Sequence, residues 1–87
     1  MNLKVFVKSI MNELIKKMEA NGYYVIKLAK TNKAGIGDLL CLKKDEPPFF
    51  IEVKTDKGVV SPLQLYRQKE LRELGFKSII VKNILEI

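Results

Sequence analysis

Leu3, Phe6, Val7, Ile10, Met11, Leu14 and Met18 recur at steps of three and four, so they line one stripe of a helix predicted over residues 3–20. Asn21 and Gly22 are placed to end it. Beyond them the pattern changes. YYVIKLA (23–29) is dense in β-branched and aromatic side chains and reads as a strand, and the polar, glycine-containing KTNKAGIG that follows reads as a loop. LLCL (39–42) predicts a short apolar strand buried on both faces. KKDEPP predicts a loose turn before FFIEVK (49–54), a second strand that pairs with it as an antiparallel hairpin.

TDKGVV is a further loop. After it, SPLQ offers Ser61 as helix cap, Pro62 at the first helical position and Gln64 three residues beyond the cap. The helix is predicted from 62 to 74, with Gly75 terminating it, and KSIIVKNILEI supplies one or two final strands, most securely Ile79 to Val81. The order α-β-β-β-α-β predicts an α/β fold, a small mixed β-sheet flanked by helices. No repeat or linker divides residues 1–87, which are expected to form a single domain.

Composition narrows the chemistry. No apolar run approaches the roughly 18 residues of a membrane span, and the basic, partly apolar start has helical spacing and no small-residue cleavage site after it, so it is expected to be part of the mature fold. Cys41 is the only cysteine, which excludes an internal disulfide and a thiolate zinc cluster and fits a cytoplasmic protein. The chain has no histidine, so Ser/His triads and histidine-ligated zinc sites are excluded too. Carboxylates, lysines, amides and a metal ion remain. Sixteen Lys and Arg against ten Asp and Glu give a net charge of +6, which attracts polyanions such as nucleic acid.

Within IEVKT, Glu52 and Lys54 share one strand face while Val53 points to the other. If the preceding strand pairs with this one, Asp38 at its entrance lies beside Glu52, and two carboxylates in reach of each other repel unless a proton or cation sits between them. Mg²⁺, with Mn²⁺ as substitute, suits such a pair: it takes oxygen from one or two carboxylates, waters and substrate phosphate, and the Val53 carbonyl can add another. Lys54 would then orient or deprotonate the attacking water, or stabilise charge on the phosphate. The plainer alternative is a surface ion pair between Glu52 and Lys54, in a chain that is 30% charged.

From Gly22 to Val81 the chain resembles the PD-(D/E)XK phosphodiesterases and, among them, the small VRR-NUC domains. GIGDLL matches the first acidic motif, FIEVKTDKG the Glu-x-Lys motif, and SPLQLYRQKELRELGF the helix with its Ser, Gln and closing glycine. The resemblance implies a restriction-endonuclease-like core in which Asp38, Glu52 and the Val53 carbonyl bind the metal, Lys54 is catalytic and Gln64 lies beside the site. Where the family often has Pro before the first Asp, this chain has Gly37. Relatives often add an acidic residue from the first helix; Glu13 is the one candidate well inside it, but it stands too close to Gly22 to be included.

Ser61 and Gln64 also form a capping box that any helix could use, so Gln64 has a structural reading beside the catalytic one. Gln68, one turn later, shares its face. Lys27, Lys30 and Lys33 flank the acidic motif as candidate contacts to DNA phosphates, against the alternative of ordinary solvated lysines. The aromatic residues and Cys41 are expected in the core.

The expected function is a structure-selective DNA endonuclease dependent on Mg²⁺ or Mn²⁺, acting on branched DNA such as Holliday junctions in DNA repair. The resemblance to junction resolvases implies a homodimer and points to a viral or mobile-element origin; Phe49 and Ile87 are candidate apolar residues for the subunit contact. A flap- or restriction-type nuclease of the same superfamily is one alternative, and a basic nucleic-acid-binding module without activity is another.

Overall fold

The computed structural model describes residues 3–55 and 57–82. They form α1 (Leu3–Ala20), β1 (Tyr24–Lys27), β2 (Leu39–Lys43), β3 (Glu46–Val53), α2 (Pro62–Glu73) and β4 (Lys77–Val81). The sheet runs β1-β2-β3-β4; its first three strands are antiparallel, and β4, reached through α2, lies parallel to β3. This is the mixed sheet flanked by helices that the hydrophobic pattern predicts. The side chains of Leu3, Phe6 and Val7 and residues 83–87, Ile87 included, lie outside the described set.

The two faces of the sheet differ in chemistry. Leu14 and Met18 of α1 pack with Leu39, Cys41, Phe49, Ile51, Val53 and Val81 as one buried apolar cluster. Each large side chain in it contributes roughly 1.5–3 kcal/mol by leaving water. The opposite face carries Glu52 and Ser78, both buried, and there α2 buries Gln68. Apolar packing therefore falls to α1, whereas α2 covers polar groups.

Several local expectations are corrected. β1 is confined to four residues, shorter than YYVIKLA. β2 is fully buried only at Leu39 and Cys41, with Leu40 and Leu42 half-buried on the other face. KKDEPP is not a loose turn. β3 already begins at Glu46, opposite Lys43, and only Lys44 and Asp45 turn, with Asp45 at φ 66°, a conformation that a short acidic side chain tolerates. Pro47 and Pro48 fit in a strand because β4 joins β3 only from Phe49 onward. Phe49, expected as a candidate for an uncovered subunit contact, is buried in the core.

Candidate active site

The loop before β2 is held by α2. Arg67 Nε donates to the Ala34 carbonyl at 2.8 Å, and its Nη1 donates to Glu70 Oε1 at 2.7 Å, which holds the Glu70 carboxyl below its usual range. Gly35, at φ 83°, lies so close to α2 that a Cβ there would stand 2.8 Å from Leu63 Cγ. At Gly37 a Cβ would meet the Ile51 carbonyl oxygen at 3.0 Å, so the chain uses glycine where close backbone approach leaves little room. Arg67 was not singled out from sequence; its place one helical turn after Gln64 was the available signal.

That loop delivers Asp38 to β3. Asp38 N donates to the Ile51 carbonyl at 2.8 Å, and its Oδ2 accepts the Val53 N–H at 2.7 Å, so the residue brackets Glu52 from both sides. In extended backbone the N–H and C=O of one residue point the same way. The Val53 carbonyl is accordingly on Asp38's side of β3.

Glu52 lies one position from Asp38's two contacts and is only 7% exposed. Burial, then the Asp38 charge, pushes its carboxyl up to about 7, against the opposing pull of Lys54 and Gln64. Lys54, one residue beyond the end of β3, places Nζ 3.6 Å from Glu52 Oε1. Gln64 reaches the same oxygen from α2, with Nε2 donating at 2.6 Å. Its Oε1 meanwhile accepts from Ser61 N, and Ser61 Oγ accepts from Gln64 N, so the predicted capping box forms while the same amide also reaches Glu52. Behind them Gln68 is buried, and its Nε2 has no hydrogen-bond partner.

Asp38, Glu52, Val53, Lys54 and Gln64 are thus brought together. The three candidate DNA-contacting lysines are exposed but divided. Lys30 and Lys33 lie on the loop leading to Asp38, whereas Lys27 pairs with Leu39 and so shares the α1 face, away from Glu52. Glu13 is exposed on α1, 3.8 Å from Lys16 Nζ.

Among the described residues no group of three His, Cys, Asp or Glu side chains comes together. The donors on offer are two carboxylates and a carbonyl, all oxygen, which suits a hard cation that keeps several waters and does not suit zinc. In this respect the residues fit Mg²⁺ or Mn²⁺. No described helix is long and apolar enough to cross a membrane.

No family model matches the sequence, and no curated protein does. Solved structures do match. One, described as a VRR_NUC domain, is 25% identical with a TM-score of 0.81 over 92% of this chain and 87% of its own. Another, described as a VRR_NUC domain protein, is 17% identical with a TM-score of 0.71 over 90% of this chain and 78% of its own. The second likeness is one of fold. The first extends over the segment that carries Asp38, Glu52, Lys54 and Gln64.

Proposed function

We propose that this chain, which resembles VRR-NUC domains in fold and motif, is a metal-dependent endodeoxyribonuclease that hydrolyses phosphodiester bonds in branched DNA. The observation that carries the reading is Asp38 bracketing a buried Glu52, whose carboxyl is pushed up to about 7. A site that confines two carboxylates in this way is relieved by a cation. Asp38, Glu52 and the Val53 carbonyl would hold Mg²⁺ or Mn²⁺. Once bound, the ion supplies Lewis acidity that activates water and neutralises phosphate charge.

The remaining roles belong to side chains of this chain. Lys54 holds its ammonium beside Glu52, where it can orient the attacking water and offset charge that grows on the phosphate. Gln64 fixes the Glu52 carboxylate through its 2.6 Å hydrogen bond. Lys30 and Lys33 would hold the DNA backbone on the approach to Asp38. The active form is a homodimer: Tyr24 and Leu74 are each 71% exposed, and Leu65 and Tyr66 add apolar surface along α2.

Purified protein mixed with four-way junctions, flaps and linear duplex, with Mg²⁺ and separately with EDTA, tests the proposal. The expected result is cleavage of branched DNA in Mg²⁺ alone, together with loss of Mn²⁺ affinity in Asp38→Asn and Glu52→Gln by calorimetric titration. Binding without cleavage in either metal would leave a nucleic-acid-binding module. Unchanged Mn²⁺ affinity in both variants would refute the shared metal site.

A further inference from the structure

A second polar hollow lies on the face that α1 covers, at the other end of the strands from Glu52. It has a volume of about 550 Å³ and is lined by Lys17, Asn21, Tyr23, Lys43, Phe49 and Lys77, together with Met18 and Ile79. The lysines come from three separate places: the last turn of α1, the end of β2 and the start of β4. Phe49 precedes Glu52 by three residues on β3, roughly 10 Å along the strand, and its side chain points to the opposite face of the sheet.

Aromatic rings hold two of the ammonium groups in place. Lys43 Nζ stands 5.0 Å from the Tyr23 ring centre and donates to the Asn21 carbonyl at 2.9 Å. Lys77 Nζ stands 5.5 Å from the Phe49 ring centre. Tyr23 and Phe49 meet edge to face at 5.3 Å, which braces the pair. A ring face attracts an ammonium without cancelling its charge, so these lysines stay available to an anion. None of the residues lining the hollow is acidic. The carboxylate of Glu46, which borders a smaller adjoining hollow, accepts a hydrogen bond from the Tyr23 hydroxyl at 2.8 Å.

We propose that this hollow is a second nucleic-acid contact, which takes the phosphodiester backbone of a DNA segment other than the one at Glu52. Two ammonium groups held beside adjoining rings, with Lys17 lining the same hollow, match successive phosphates of a backbone, and the volume exceeds what one inorganic phosphate would fill. Position supplies the rest of the case. A branched DNA sends arms away in different directions, and a basic hollow on the far face of a domain 23 Å across its thinnest dimension meets an arm that the Glu52 face cannot. The inference rests on the nuclease reading for its choice of ligand, but its test does not require cleavage.

The test compares wild type, Lys43→Gln/Lys77→Gln and Lys43→Arg/Lys77→Arg for binding to a four-way junction and to a short linear duplex. Binding is followed by fluorescence anisotropy in EDTA over a range of salt, after thermal melts have shown each variant to be folded. The glutamine pair is expected to weaken junction binding about tenfold or more and to lower the slope of log K against log[salt] by about 1.8, since each lost phosphate contact removes about 0.9. Short-duplex binding should change much less, and the arginine pair should restore the slope. Wild-type junction affinity and slope in the glutamine pair overturn the proposal. So does a nucleoside monophosphate that shifts the Tyr23 and Phe49 ring resonances while the junction slope stays unchanged, which would make the hollow a nucleotide pocket. If no substrate is cut in Mg²⁺ yet the slope falls as expected, the nuclease reading fails and the second contact stands.

Discussion

Gln64 Nε2 donates to Glu52 Oε1 at 2.6 Å while the same side chain's Oε1 accepts the Ser61 N–H at 3.0 Å. One amide thus closes the helix cap and holds the buried carboxyl, and two substitutions separate these duties. Gln64→Glu keeps a capping-box acceptor but sets a carboxylate against Glu52, so it should melt near wild type at pH 5 and fall progressively below it as the pH rises past 7. Gln64→Ala keeps the Ser61 Oγ bond to the backbone N–H of residue 64 but loses both amide side-chain bonds, so it should already be less stable at pH 5 by about 1 kcal/mol, or roughly 4–8 °C. Melting curves at the two pH values decide, and parallel losses in both variants would mean that the contact with Glu52 contributes nothing.

Lys54→Ala should lower single-turnover cleavage on the order of 10²–10³-fold while DNA binding survives, because one lysine beside the reacting phosphate matters far more to rate than to a contact area shared among many basic groups. Anisotropy in EDTA and rates in Mg²⁺ separate the two effects. Cleavage close to the wild-type rate removes Lys54 from the chemistry.

The pH dependence of stability should carry the signature of Glu52. Its carboxyl stands at about 7 against an ordinary 4.5, so burial favours the protonated form. The stability it contributes is complete below pH 4.5 and is lost as the pH rises through 7. The full loss is at most roughly 3 kcal/mol. In EDTA, Glu52→Gln should match wild type near pH 4.5 and exceed it at pH 8, and added Mn²⁺ should narrow the gap by stabilising wild type alone. A pH-independent difference between the two proteins would contradict the origin assigned to this shift.

Diluting the protein below its dimer dissociation constant should turn paired cuts in a junction into single nicks or no cuts, since two sites in fixed relation are needed to cut both strands together. Light scattering that reports a monomer while paired cleavage continues undiminished would exclude the homodimer.

Much of this arrangement is legible in the chain itself. Helical spacing places Leu14 and Met18 in the core, and Ser61, Pro62 and Gln64 locate the start of α2 within a residue. Alternation in IEVKT correctly separates Glu52 from Val53. What escapes is non-local. Pro47 and Pro48 argue against a strand until it is known that β4 pairs with β3 only beyond them. Lys27 looks adjacent to the acidic motif along the chain, yet its register with Leu39 turns it to the other face. Nor does any local pattern announce that Arg67 reaches back thirty-three residues to Ala34.

The unequal division of apolar packing between the two helices has a kinetic corollary. α2 fully buries only Gln68 and leaves Leu63, Leu65 and Tyr66 exposed, as is Leu74 at its cap, so its hold depends largely on hydrogen bonds to Glu52 and Ser78 of the sheet and to Ala34 of the loop. Such an element opens at lower free energy than the layer beneath α1. In the free protomer, amide protons of α2 should therefore exchange with solvent well before those of β3, and the helix that steadies Glu52 lets go and re-forms more readily than the strand it covers.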